Sequence, residues 1–129
     1  FLLKLKKFFV ELDYSFPIIV QCWVNTFRAG EGIMPHQHGE NIMSANIFIC
    51  GDPNIGTKFL VNHRTKNIQS KEGNITIFPG TIPHYVMPNS LKSFNSHGIR
   101  ISIAMDIYLD GLLPEPSIEL DNKRYFKIK

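Results

Sequence analysis

The stretch Ile99-Arg100-Ile101-Ser102-Ile103-Ala104-Met105-Asp106-Ile107-Tyr108 decides how this chain is read. Its density of β-branched residues marks a strand, and side chains along a strand alternate between two faces. Arg100 and Ser102 therefore share one face, while Ile99, Ile101 and Ile103 share the other. A guanidinium and a hydroxyl turned into a core without partners are costly. A planar fork of donors beside a hydroxyl suits a carboxylate held end-on. The alternative partner for Arg100 is an acid of the chain itself, Asp106 or a loop carboxylate, because a buried arginine is usually paired.

Outward from that strand, the chain alternates short apolar runs with turns. Phe1 to Leu12 reads as a helix, with Lys4, Lys7 and Glu11 on one face and Leu2, Leu5, Phe9 and Leu12 on another. That pattern favours packing on a sheet over lying on a membrane surface. Pro17 disfavours helix in the residue before it, so Asp13 to Pro17 ends the helix. Strands are expected over Ile18–Phe27, around His36–His38, and over Met43–Cys50, Lys58–Val61, Ile75–Phe78 and His84–Met87. Turns are expected at Ala29–Gly32, Gly51–Gly56, Lys71–Asn74 and Pro79–Pro83. Asn62–Asn67 and Asn89–Gly98 read as polar loops. The tail from Ile118 to Ile128 reads as a hairpin around Asp121-Asn122 or as an extended edge.

About eight strands at short spacing after one helix describe an all-β domain, a sandwich or a barrel. A jelly roll arranges that many strands and leaves few edges. One domain spans 1–129, with a helix over 1–12, a core over 18–107 and a C-terminal extension over 108–129.

Composition excludes several classes. With 43% apolar and 19% charged residues, the chain is neither disordered, collagenous nor membrane-spanning. A net charge of +3 does not call for nucleic acid or a membrane as partner. Cys22 and Cys50 have no framework or zinc-ribbon spacing and read as buried thiols in a reducing compartment, the cytoplasm. The sequence opens on Phe1 rather than Met, so it carries no reading about a leader.

Two of the five histidines stand one residue apart in Met34-Pro35-His36-Gln37-His38-Gly39-Glu40. On a strand, His36 and His38 would project side by side as a pair of metal ligands. His84 follows two turn prolines and reaches the same place if the strands wrap into a roll. A solvated edge strand is the alternative for an isolated H-x-H. His63 and His97 lie in polar loops and read as solvated. Trp23 reads as core. Asn25 and Asn46 lie on apolar strands, where a buried amide needs a partner. Asn46 is a candidate for a cosubstrate oxygen or for a backbone bond.

In order along the chain come Trp23-Val24-Asn25, Gly30, His36-Gln37-His38, Ser44, Gly73-Asn74-Ile75-Thr76-Ile77-Phe78-Pro79, His84, Pro88 and Arg100-Ile101-Ser102-Ile103. This ordered set, over about residues 20 to 107, resembles the iron(II)- and 2-oxoglutarate-dependent oxygenases, and among them the 2OG-Fe(II) oxygenase group. The resemblance implies a double-stranded β-helix, the jelly roll that cupins share. It implies iron(II) on His36, His38 and His84, and 2-oxoglutarate as cosubstrate with its far carboxylate on Arg100, assisted by Ser102. It also implies hydroxylation of a small-molecule or peptide substrate.

One departure matters. Most members carry H-x-D or H-x-E, the two-histidine, one-carboxylate triad of non-haem iron. A carboxylate leaves an iron(II) site at formal +1, whereas three neutral imidazoles leave +2. The alternative ligand set is His36 and His84 with Glu40. Three imidazoles also suit zinc, copper or nickel. Cupins are resembled too, since Gly30 stands six residues before His36 and Pro79 five before His84; nothing in a generic cupin demands Arg100 and Ser102. Nucleic-acid-repair members carry a second arginine six residues after the first, where this chain has Asp106. The alternatives to the dioxygenase are a metal-dependent cupin enzyme that does not use 2-oxoglutarate and a non-catalytic binding module. Members of the resembled group are usually longer, so a homodimer partner covering the sheet is expected if the chain is a compact version rather than a partial one.

Overall fold

The computed structural model describes residues 2–13, 17–39, 41–88, 99–109 and 125–128. One helix, α1 (Leu2–Glu11), precedes nine strands: β1 (Ile18–Arg28), β2 (Ile33–His36), β3 (Met43–Cys50), β4 (Thr57–Val61), β5 (Arg64–Ile68), β6 (Ile75–Phe78), β7 (His84–Val86), β8 (Ile99–Leu109) and β9 (Tyr125–Ile128). They form two antiparallel sheets, a larger one in the order β6-β3-β8-β1-β9 and a smaller one in the order β2-β7-β4-β5. Two such sheets facing each other make the double-stranded β-helix.

Register carries the architecture. Opposite residues in an antiparallel pair point to the same face. β8 sets Met105 against Cys22 of β1 and Ala45 of β3, and Ile107 against Val20 and Met43. This apolar face is the core: Ile18, Val20, Ala45, Ile47, Met105 and Ile107 are buried together with Leu5 and Phe9 of α1. The helix therefore packs on the sheet, as its apolar stripe predicts, and its other side carries the exposed Lys7–Glu11 pair at 3.8 Å. Asp13, at φ 56, closes the helix from the left-handed region, and its N–H reaches the Val10 carbonyl. No helix among the described residues is long and apolar enough to cross a membrane.

The opposite face of the same sheet turns toward the smaller sheet. On β8 it carries Arg100, Ser102, Ala104 and Asp106. Across from these stand Phe27, Asn25, Trp23 and Gln21 of β1. On β3 the face carries Ser44 opposite Asp106, Asn46 opposite Ala104 and Phe48 opposite Ser102.

Two features depart from the sequence expectations, and the tail takes one of its two expected forms. The strand around the H-x-H ends at His36, so His38 lies beyond β2 on irregular chain. Pro35 is accommodated because β2 is an edge strand. Asn62–Asn67 is not a loop: Arg64–Ile68 is a strand paired with β4. The turn between them is Asn62-His63, both at positive φ, the conformation that two-residue hairpin turns require. β5 is an exposed edge with polar residues on both faces, so no hydrophobic alternation announces it. The tail places Tyr125–Ile128 along β1 as an extended edge, while Asp121-Asn122 lies outside the described residues.

Candidate metal centre

The smaller sheet brings the first and last histidines together. His36 on β2 and His84 on β7 are direct cross-strand partners. The turn Pro79–Pro83 delivers His84, with Ile82 N–H bonded to the Pro79 carbonyl at 3.0 Å. His38 arrives by a different route: its backbone N–H donates to the Gly80 carbonyl at 2.8 Å, which ties the segment after β2 to the turn before β7. The ring centroids of His36 and His84 are 4.3 Å apart, those of His36 and His38 5.2 Å, and those of His38 and His84 5.3 Å. One ring nitrogen from each lies within 4.8 Å of the other two. The cluster predicted from sequence is therefore assembled, although not from one continuous strand.

All three rings are oriented through Nδ1. That of His36 donates to the Met34 carbonyl at 2.9 Å, and that of His84 to the Ile82 carbonyl at 3.0 Å. That of His38 meets Oδ2 of Asp106 at 3.0 Å. Carbonyl and carboxylate oxygens only accept, so each Nδ1 carries the proton and each neutral ring keeps its Nε2 lone pair. Three imidazoles grouped this closely, each with a ring nitrogen to spare, fit a first-row divalent metal. His84, 8% exposed, is pushed below the ordinary histidine range, chiefly by burial. Neighbouring His36 and His38 act in the same sense, while the Ile82 carbonyl and Asp106 oppose it. Burial thus keeps His84 in the neutral form that ligates.

Asp106 is not the partner of Arg100. It is buried, and its Oδ1 accepts from Asn41 Nδ2 at 2.5 Å and from Ser44 Oγ at 2.8 Å, while Oδ2 faces His38. Asn41 also donates to Ser44 Oγ at 2.7 Å. Asn41 packs directly over Gly80, where a Cβ would collide with its Oδ1. His38, which stands where most members of the resembled group carry a carboxylate, thus has a carboxylate at its back.

Arg100 is 2% exposed and has no carboxylate partner among the described residues. Its guanidinium lies 5.8 Å from the Phe27 ring and 5.5 Å from that of Phe48. Among the described residues only long bonds serve it: Nη1 donates to Ser102 Oγ at 3.4 Å, Nη2 to Ser70 Oγ at 3.5 Å, and Nε has no partner. Gly51, at φ +138, backs against it, and a Cβ there would stand 3.0 Å from Arg100 Cα. Burial lowers the Arg100 pKa from its ordinary value, the direction expected of a desolvated cation, and the group still stays charged. Among the described residues this buried cation has an unmet donor and no anion, an arrangement that is costly unless a partner is supplied.

The histidines and Arg100 open into one cavity of about 60 Å³. Trp23, Asn25, Phe78 and Ser102 are among its walls. Trp23 is therefore a wall of the site rather than core, its ring 6.2 Å from that of His38. Asn46 also lines the cavity, and its amide donates to Thr57 Oγ1 at 3.4 Å, not to the backbone. Sequence reasoning missed Ser70 and Asn41, which lie outside any strand pattern. Asp106 was findable as an acid on the face of β8 that carries Arg100 and Ser102, since it keeps their parity. His63 is exposed in the β4–β5 turn, and Cys22 and Cys50 are free thiols. Burial raises the Cys22 thiol above its ordinary value, so it is a poor nucleophile. Glu40, His97 and the Asn89–Gly98 loop lie outside the described residues.

Fold and site together define a double-stranded β-helix with a three-histidine cluster and a buried arginine in one cavity. That fold is shared with solved structures of two kinds. A 2OG-Fe(II) oxygenase-family oxidoreductase from Burkholderia pseudomallei superposes with a TM-score of 0.64 at 13% identity, over 80% of this chain and 50% of that one. A prolyl-4-hydroxylase from Pseudomonas putida gives 0.57 at 15% identity, over 70% of this chain and 51% of that one. A cupin domain from Bordetella pertussis gives 0.50 at 15% identity, over 69% of this chain and 81% of that one. The chain thus spans about half the length of the two oxygenases. No family model matches the sequence, and no curated protein matches it.

Proposed function

We propose that this protein is an iron(II)- and 2-oxoglutarate-dependent dioxygenase that hydroxylates a small-molecule or peptide substrate. The observation that carries the proposal is Arg100: a buried guanidinium with no anion beside it among the described residues, opening into the cavity that His36, His38 and His84 also line. A dicarboxylic acid satisfies both ends, one carboxylate at the metal and the other at the arginine.

In this reading the three histidines hold iron(II) through Nε2. Arg100 grips the far carboxylate in a charge-assisted bond, with Ser102 and Ser70 as the nearest hydroxyls. That contact fixes orientation rather than doing chemistry. Phe27 and Phe48 flank the guanidinium and keep water from competing for it. Iron(II) and 2-oxoglutarate, when bound, supply the oxidation: dioxygen is consumed, 2-oxoglutarate becomes succinate and carbon dioxide, and one oxygen atom enters a C–H bond.

An anaerobic titration tests this. Iron(II) followed by 2-oxoglutarate is expected to raise a metal-to-ligand charge-transfer band in the wild type. Arg100→Met, similar in length and uncharged, is expected to keep iron and lose the band. Its metal-free form is expected to be no less stable than wild type in denaturant, because the substitution removes a buried unpaired charge. A folded, iron-loaded wild type without the band ends the proposal. It would favour instead a metal-dependent cupin enzyme that does not use 2-oxoglutarate, which the all-histidine ligand set supports.

A further inference from the structure

We propose that Asp106 is the anion of the metal centre, held one hydrogen bond out from the ligands, where it orients His38 and offsets the charge that a first-sphere carboxylate would have cancelled. The inference rests on the metal-binding part of the function proposed above and goes beyond it in assigning Asp106 a role.

Three observations carry it. First, Asp106 is a buried carboxylate with no lysine or arginine ion pair among the described residues, and its Oδ2 faces His38 Nδ1 at 3.0 Å. Second, the carboxylate is clamped: Asn41 and Ser44 both donate to Oδ1, which leaves Oδ2 for the imidazole. Third, the other two histidines donate Nδ1 to backbone carbonyls, so His38 alone is backed by a formal negative charge. A carboxylate behind a ligating imidazole fixes the tautomer and raises the basicity of the ligating nitrogen. Three neutral imidazoles leave a divalent ion at +2. With Asp106 counted the centre stands at +1, the charge of a two-histidine, one-carboxylate site. Asp106 is thus a positioning residue, acting through His38 and not touching the metal.

The competing account is that Asp106 only pins the segment from His38 to Asn41 onto β8. Zinc-loaded protein carrying 15N-labelled histidine separates the two. In the wild type, three Nδ1–H protons protected from exchange are expected, with that of His38 furthest downfield because its acceptor is charged. Asp106→Asn, which keeps size and an oxygen for Asn41 and Ser44 but sets an amide donor against the His38 N–H, is expected to shift that signal alone and to weaken zinc and iron(II) binding by about 10- to 100-fold. The wild-type spectrum needs no variant, so it decides the matter even if Asp106→Asn does not fold. A His38 signal level with the other two overturns the inference. So does a folded Asp106→Asn with unchanged spectrum and metal affinity; the proposed function then stands. A wild type that takes up no metal overturns both together.

Discussion

At the scale of single residues, the site is a set of groups whose surroundings select one protonation or charge state. His84 illustrates this. Burial and two neighbouring imidazoles keep it neutral below the ordinary histidine range. In the unfolded chain it takes up a proton near pH 6.5, earlier on acidification than in the native state. Between its native pKa and about 6.5 the unfolded state holds more protons, so this contribution makes stability rise with pH and fall on acidification. The metal-free wild type is expected to lose more of its denaturation midpoint between pH 7.5 and 5.5 than His84→Gln does. Equal losses would show that His84 is not held neutral. Arg100 was legible in sequence because a charge on an apolar strand is conspicuous. Asp106 obeys the same alternation, but its partner was not legible. Parity gives the face of a side chain and not what lies across from it, and His38 comes in on a segment without regular structure.

At the scale of elements, strong periodicity made α1, β1, β3 and β8 readable. The rest depended on tertiary pairing. β2 stops at His36 because His38 takes its hydrogen bond from the Gly80 turn rather than from a neighbouring strand. β5 exists because β4 offers it an open edge, with little hydrophobic signal of its own. The helix is an element whose contribution can be measured. Leu5 is 1% exposed against the large sheet, while Leu3 on the same helix is 82% exposed. Leu5→Ala is expected to cost about 2–5 kcal/mol in urea unfolding, and Leu3→Ala to stay within about 0.5 kcal/mol of wild type. Similar costs for both would mean that α1 does not dock as described.

At the scale of the whole molecule, the histidine cluster draws on the small sheet and the turn before β7, and it is anchored to the large sheet through Asp106. A metal bound there would tie the two layers together and, needing the folded geometry, would stabilise the folded state. At a hundred times its dissociation constant it adds about 2.7 kcal/mol, roughly 10 °C in melting temperature for a domain of this size. Thermal melts with iron(II) under argon and with excess chelator are expected to differ by that amount; coincident curves would leave no metal site to explain. The alternation of β8 has a further consequence, in heredity. Ile103, Met105 and Ile107 serve the helix-facing core, while Arg100 and Ser102 line the cavity and Asp106 backs His38. Gaining or losing one codon inside Ile99–Leu109 would exchange those two assignments over the remainder of the strand. Lineages descending from this gene can therefore revise the pocket letter by letter, but the length of this strand is closed to them.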